Sequence, residues 1–299
     1  MASSSESKTA LARKLNVSRS SLYYKHKVPE KDEELRVAIE KVHRQHPGYG
    51  YRRVALELGI NAKRAQRVMR KFKLRPPRRS KVPKKKGDIG KEPSKRVDIT
   101  SLWCPIEPDL IWVSDFTYIY FHGRFLYLAT VLDLFTGEVL GFNISDRHDS
   151  ELVLKAMQRA KGAVDTVPQW FHSDQGSEFC SDEATNWLVA HGINISHSPK
   201  SSPWRNASQE SFYGRYKVEF GDFERFDTVS ELVEEIYSKL YYFSEMRIKN
   251  RLKMSPAEYR RKWINDTETI KKKLGLAPAP TSSWLPNRQE EGFNTAPDV

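Results

Sequence analysis

The sequence predicts an α/β protein, a mixed sheet flanked by helices behind a small all-α front, and three observations predict it. Residues 109–144 hold three successive runs rich in β-branched and aromatic residues, broken by His122-Gly123-Arg124 and Thr136-Gly137. Such runs on short turns read as an antiparallel meander. Residues 150–197 then alternate helical and strand patterns, and a β-β-β-α-β-α-β order means a five-stranded mixed sheet with flanking helices. The first 98 residues carry 28 Lys/Arg against 10 Asp/Glu, and the rest carry 22 against 28. A basic helical front on a mildly acidic body points to a polyanion-binding module joined to something else.

The whole chain has 299 residues and a formal net charge of +12, with room for two or three domains. No run approaches the ~18 apolar residues of a membrane span. The start, Met1-Ala2-Ser3-Ser4-Ser5-Glu6-Ser7, lacks the charged and apolar regions of a signal peptide. Cys104 and Cys180 stand far apart without a C-x-x-C pair, which argues against a disulfide scaffold or a cysteine zinc site. A reduced, soluble, cytoplasmic protein is expected.

In the front, residues 8–24 outline a helix-turn-helix. Ala10, Leu11, Leu15 and Leu22 would line one side of two short helices, with Asn16-Val17 as the turn and Ser18 as the cap of the second. That second helix would offer Arg19 and its polar neighbours to a DNA groove. Residues 31–45 form an amphipathic helix with Leu35, Val37, Ile39 and Val42 among its apolar positions, ended by Pro47-Gly48. Helices over 51–58 and 62–72 flank Gly59-Ile60-Asn61, Asn61 capping the second, whose buried stripe is Ala65, Val68, Met69 and Phe72. Between Asn61 and Lys86 lie 13 Lys/Arg and no acid, a density that resists compaction unless phosphates neutralise it. Pro76-Pro77 and Pro83 make residues 75–99 an extended basic linker.

In the body the expected strands are 109–121, 125–135, 138–144, 169–173 and 193–197, and the expected helices are 150–160, 182–191, 207–220 and 231–246. From about 265 the chain turns polar, and Pro278, Pro280, Pro286 and Pro297 suggest a loose tail.

Three acids stand out. Asp115 sits inside Leu110–Ile119, a strand apolar on both faces, where a carboxylate is costly without a partner; a metal ion suits it better than a distant arginine. Asp174 follows a short strand, at the end where α/β sheets bind ligands, although Asp174-Gln175-Gly176 also reads as an ordinary turn. Glu210 lies in the first turn of a helix that Asn206 and Gln209 would cap in the manner of a capping box; alone it is unremarkable. Of the others, Asp133 suits a turn, Asp146 and Asp149 suit a loop and a helix cap, and Glu178 is a further acid near Asp174.

Taken together, Trp112-Val113-Ser114-Asp115-Phe116-Thr117-Tyr118, His172-Ser173-Asp174-Gln175-Gly176-Ser177 and Asn206-Ala207-x-x-Glu210-x-Phe212, with 35 residues between Asp174 and Glu210, resemble the DDE transposases of bacterial insertion sequences, whose core is of the retroviral-integrase type. The resemblance runs through about Tyr259. It implies an RNase H-like catalytic core, Asp115, Asp174 and Glu210 as catalytic metal ligands, and DNA strand transfer. Two departures are plain. Arg205 stands where the family commonly has an acid, and His43 and His46 have no cysteine pair with which to build the zinc module of retroviral integrases.

Three converging carboxylates raise one another's pKa unless a cation intervenes, so the resemblance implies two Mg²⁺ ions, with Mn²⁺ able to substitute. Asp115 would bridge them, Asp174 completing one site and Glu210 the other. The expected function is binding of terminal inverted repeats followed by nicking and joining. Double-stranded DNA, transposon ends and target, is the expected partner, with a homodimer or higher oligomer assembled on it. The alternative is a DNA-binding regulator with an idle core. Expected DNA contacts are Ser18, Arg19 and Ser21 in the helix-turn-helix, then Arg52, Arg53, Lys63, Arg64, Arg67, Arg70 and Lys71. Arg78, Arg79, Lys84 and Lys85 follow in the linker, and Lys200, Arg205 and Lys217 beside the acids. The expected domains are a helix-turn-helix unit at 1–28, a second helical unit at 29–74, the linker at 75–99, the core at 100–264 and a largely irregular tail at 265–299.

Overall fold

The computed structural model describes residues 7–23, 28–77, 98–164, 166–198 and 206–274. They belong to two compact units, Met1–Pro76 and Pro77–Val299.

In the first unit, α1 (Lys8–Lys14) starts at Ser7, whose Oγ accepts from the Ala10 N–H at 3.3 Å. The expected second helix is a 3₁₀ segment, Arg19–Tyr23. Ser18 does cap it, accepting from the Ser21 N–H at 3.3 Å, but its hydroxyl also bonds those of Ser20 and Ser21 at 2.8 Å. Serine hydroxyls competing for the backbone in this way disfavour a regular α-helix. The expected apolar side is also revised: Ala10, Leu11 and Leu15 are exposed and Ala12 is buried. A seven-residue helix facing a single 3₁₀ turn leaves little surface to bury them against.

Next, α2 (Val28–Gln45) buries Leu35, Ile39 and Val42, a 4-3 spacing on one stripe. Val37 lies about 200° around the helix from both Leu35 and Ile39 and is exposed. The helices α3 (Tyr51–Glu57) and α4 (Ala62–Lys71) follow, with Gly59 at φ 61° in their turn and the Asn61 Oδ1 accepting from the Lys63 N–H at 2.8 Å. Ala65, Val68 and Met69 are buried as expected, and Phe72 is half-buried. Asp32 is buried against α4, where Arg67 donates to both its oxygens at 2.7 and 2.6 Å and Lys71 to one at 3.0 Å. The Arg67 guanidinium holds the Asp32 carboxyl down at about 2.

The second unit opens with a short helix, α5 (Ile99–Leu102), and then builds one sheet from β1 (Ile111–Phe121), β2 (Arg124–Asp133), β3 (Val139–Ser145), β4 (Trp170–Ser173) and β5 (Asn194–His197). Their order is β3-β2-β1-β4-β5, so β1 is central as its apolar character requires; the first three strands are antiparallel, and β4 and β5 run parallel to β1. The helices are α6 (Ser150–Ala163), α7 (Asp182–Ala190), α8 (Ala207–Phe220), α9 (Val229–Tyr241) and α10 (Pro256–Lys273). One core joins Ile111, Val113 and Ile119 to Phe212, Tyr216 and Phe220 of α8 and Ile236 of α9. The other joins Trp112, Ala129 and Val131 to Val153 and Met157 of α6 and Leu188 of α7. At Gly141 an added Cβ would strike the backbone of Ala156 and Ala160, so a glycine lets α6 lie close on β3. Asp149 caps α6, accepting from the Leu152 N–H at 3.0 Å, and Asp133 ties down its turn by accepting from the Thr136 N–H at 2.8 Å.

Two expected element bounds change. The helix expected to run unbroken to Met246 becomes π-helical over Tyr242–Met246. The wider turn brings three consecutive side chains inward, Tyr242, Phe243 and Ser244, and the Ser244 Oγ accepts from the Val139 N–H at 3.0 Å. The tail expected from 265 is helical as far as Lys273 within α10. Asn, Asp and Thr cost a helix only about 0.5 kcal/mol each, and the Thr269 hydroxyl bonds back to the Asn265 carbonyl at 2.8 Å. Among the described residues no helix is long and apolar enough to cross a membrane.

Candidate active site

Asp115 stands where the central strand loses its neighbour. Pairing of β1 with β4 ends at Val113, and α8 supplies side chains along the strand from there on. The Gln209 Nε2 donates to the Val113 carbonyl at 2.7 Å and to that of Thr130 at 3.2 Å. The Asn206 Nδ2 donates to the Ser114 carbonyl at 3.2 Å, the Tyr213 hydroxyl to that of Asp115 at 2.7 Å, and the Lys217 Nζ to that of Tyr118 at 2.8 Å. Residues 206, 209, 213 and 217 form one helical stripe. The expected capping box is therefore absent: Asn206 makes no cap bond, because it and Gln209 are spent on the strand. Gln209 is fully buried, and Thr130 Oγ1 lies 3.1 Å from its Oε1 and 2.9 Å from Tyr213 Oη. This network sets the register of the helix bearing Glu210 against the strand bearing Asp115.

Asp174 emerges at the surface past the end of β4, its Oδ1 accepting from the Gly176 N–H at 3.0 Å. A Cβ at position 176 would lie 2.5 Å from the Glu178 Oε2 and 3.1 Å from the Asp174 Oδ1, so a larger residue there would displace these carboxylates. Glu178 is buried and lies 3.1 Å from the His148 Nδ1. The Asp174 carbonyl lies 2.9 Å from the buried His197 Nδ1. Burial pushes the Asp174 carboxyl up and Glu178 adds to that, while the Gly176 N–H and the charge of His197 pull it down.

Of the three predicted acids, Asp115 feels the charge of both others. Asp115 is pushed up to about 7, first by burial and then by Asp174; the Phe116 N–H, which donates to its Oδ1 at 2.8 Å, pulls it down, and Glu210 pushes it further up. Among the described residues no basic side chain pairs with it. Asp115 and the exposed Glu210 line one cleft with Thr117, Tyr213, Gly214 and Lys217; Asp174 lies outside that lining. Among the described residues no three His, Cys, Asp or Glu side chains stand close enough to hold a single ion in this conformation. The donors are nonetheless all carboxylate oxygens, the hard set that suits Mg²⁺ or Mn²⁺.

The predicted DNA contacts divide. Lys63, Arg64 and Arg70 are exposed on α4, as are Arg19, Ser21 and Arg52 in the same unit, whereas Arg67 and Lys71 close on Asp32 and Ser18 caps its turn. Arg53 is half-buried over the Tyr49 ring at 5.8 Å. Lys217 lies over the Tyr118 ring at 4.7 Å, on the rim of the cleft. Arg78, Arg79, Lys84, Lys85, Lys200 and Arg205 fall outside the described residues. His43 bonds the Tyr49 carbonyl at 3.0 Å and His46 stacks on the Tyr49 ring at 4.4 Å. Sequence reasoning missed the positioning roles of Gln209, Asn206, Tyr213, His148 and His197, whose partners lie 23 to 98 residues away in the chain.

Two integrase core domain families match, over residues 105–203 and 210–264. A putative transposase for insertion sequence element IS150, from Escherichia coli K12, is 31% identical over 84% of this chain and 92% of its own. The chain belongs to the insertion-sequence transposases with an integrase core. A protein of insertion element IS600 from Shigella sonnei is 28% identical over 78% of this transposase and 89% of its own length. The magnesium-bound integrase catalytic core of HTLV-2 superposes with a TM-score of 0.44 at 18% identity, over 52% of this chain and 98% of that one. A simian T-cell lymphotropic virus intasome chain does so at 0.48 and 15%, over 84% and 80%. The mixed five-stranded sheet with flanking helices is the fold of its integrase core, and the transposase is a polynucleotidyl transferase.

Proposed function

We propose that this transposase binds the terminal inverted repeats of its element and nicks and joins them in a Mg²⁺-dependent reaction, with Asp115, Asp174 and Glu210 as the metal-holding acids. The observation that carries the reading is Asp115: a desolvated carboxyl raised to about 7 by burial and by the other two acids, with no basic partner among the described residues. Such a group asks for a cation. Asp115, Asp174 and Glu210 would hold divalent ions, which would supply Lewis-acid stabilisation of the attacking and leaving oxygens at phosphorus. Gln209 and Tyr213 hold helix and strand in register, the Gly176 N–H holds the Asp174 Oδ1, and Lys217 places a positive charge at the cleft. The attacking group is water in nicking and a DNA 3′-hydroxyl in joining, so no protein nucleophile is needed.

Residues 1–28 and 29–74 are the DNA-binding units in this reading, 75–99 the basic linker, 100–264 the catalytic core and 265–299 the C-terminal tail. Arg19, Arg52, Lys63, Arg64 and Arg70 are the phosphate contacts supported by exposure, and two or more copies assemble on the paired ends. The test is purified transposase with its element's end DNA. Nicking and joining should require Mg²⁺ or Mn²⁺ and disappear in Asp115→Asn, Asp174→Asn and Glu210→Gln with binding retained. Full activity in any of the three variants would overturn the assignment, and binding without turnover by the unaltered protein would favour a regulator.

A further inference from the structure

Beyond Ser114, alternate residues of β1 are aromatic, and two of them pair with aromatic residues of β2. In register, Tyr118 faces Tyr127 and Tyr120 faces Phe125. The rings form an aromatic row in two groups: an inner pair, Phe116 6.3 Å from Tyr127, and an outer trio, in which Phe125 lies 5.8 Å from Tyr118 and 5.2 Å from Tyr120. At its inner end, Phe116 and Tyr127 pack against the core beneath α6, and His148 stacks on Phe116. At its outer end the rings are open to solvent, Tyr118 60% exposed and Tyr120 and Phe125 48% each. Exposed aromatic rings on adjoining strands are what a sheet uses to stack bases.

The row meets the cleft at Phe116 of the inner pair and at Lys217, which lines the cleft while its Nζ sits 4.7 Å from the centre of the Tyr118 ring in the outer trio. Arg124, the first residue of β2 and next to Phe125 in sequence, is exposed. Lys217 thus sets a cation against the rings on the cleft side, as a stacked, phosphate-linked strand requires. A duplex offers groove edges and phosphates to a protein, whereas an unpaired base offers its face. A second copy of the chain is a poorer fit: three half-exposed rings present roughly 300–400 Å², well short of the ~800 Å² per partner of a stable interface.

We propose that Tyr118, Tyr120 and Phe125 form a stacking platform for unpaired bases of the DNA strand end processed in the adjacent cleft. The proposal rests on the reading of that cleft as the strand-transfer site. It is tested on the full chain with end duplexes whose terminal bases are mismatched and replaced by 5-iodouracil, which cross-links on irradiation to rings stacked upon it. Adducts should map to Tyr118, Tyr120 or Phe125. The double variant Tyr120→Ala, Phe125→Ala should lower their yield about tenfold while leaving the binding of a fully paired duplex within about twofold, and Tyr120→Trp with Phe125→Trp should restore it. Circular dichroism melts confirm folding, and Tyr118→Ser, at the most exposed of the three rings, serves if the double variant unfolds.

Adducts only elsewhere, unchanged yield in the variants, or loss of self-association with cross-linking intact would each overturn the platform. Cleavage of the same duplex is followed in parallel. Cleavage without adducts on these rings overturns the platform and leaves the strand-transfer reading standing. Adducts on the rings without metal-dependent cleavage uphold the platform and count against the chemistry proposed for the cleft.

Discussion

Replacing Asp115 by asparagine should end strand transfer and yet make the metal-free protein more stable. The Asp115 carboxyl moves from 3.8 to about 7 on folding, and each pKa unit is worth ~1.36 kcal/mol. Ionising it in the folded chain at about pH 8 therefore costs up to about 4 kcal/mol, and about 2 is a fairer lower figure because the residue keeps some contact with solvent. The sign follows from the raised value. Between about pH 4 and pH 7 the folded chain holds a proton that the unfolded chain has lost, so stability falls as pH rises through that window and is flat beyond it. Asparagine keeps the Oδ1 that accepts from the Phe116 N–H and carries no charge, so its stability should lack this dependence. Urea unfolding in EDTA, followed by tryptophan fluorescence with the fully buried Trp112 as a reporter of the sheet unit, should give equal midpoints near pH 4. Near pH 8 the variant should be ahead by about 2–4 kcal/mol, and millimolar Mg²⁺ should narrow the gap by stabilising only the unaltered protein. A wild-type protein as stable as the variant near pH 8 would refute the claim that Asp115 is a desolvated, cation-seeking carboxyl.

Gln209→Ala should destabilise the sheet unit by about 2–3 kcal/mol by stripping buried carbonyls of their donor, and strand transfer should fall further than DNA affinity, read from parallel joining and binding assays. Gly176→Ala should leave the urea midpoint within about 0.5 kcal/mol but depress joining at least tenfold, because its Cβ would crowd the Glu178 and Asp174 oxygens; unchanged turnover would show that Asp174 is not held by that turn. Asp32 carries a lowered pKa of about 2, so its contribution to the helical unit is present above pH 4 and is lost as pH falls toward 2. Asp32→Asn should flatten that acid limb and, by releasing Arg67 and Lys71, steepen the salt dependence of non-specific DNA binding by about one charge or more.

What the sequence determined by itself was everything written in near neighbours. Alternation with turn glycines marked the meander, and Asn61 and Asp149 announced their caps. An acid inside an apolar strand marked Asp115, because such a residue is costly wherever the strand lies. The spacing of Asp174 and Glu210 then pointed to a family that similarity over most of the chain bears out.

Tertiary structure alone decided which polar groups find one another. Asn206 and Gln209 look like a local cap, and only the edge of β1 left open past Val113 turns them into clamps on a strand over ninety residues away. Asp32 and Arg67 lie 35 residues apart, so the basic run could not reveal that part of its charge is already spent. Phe116, Tyr118 and Tyr120 alternate as any strand does; that Phe116 packs against a core while Tyr118 and Tyr120 stay open to solvent is decided by packing. Backbone preference is set within a few residues, but desolvation and hydrogen-bond partnership depend on what the folded chain brings alongside.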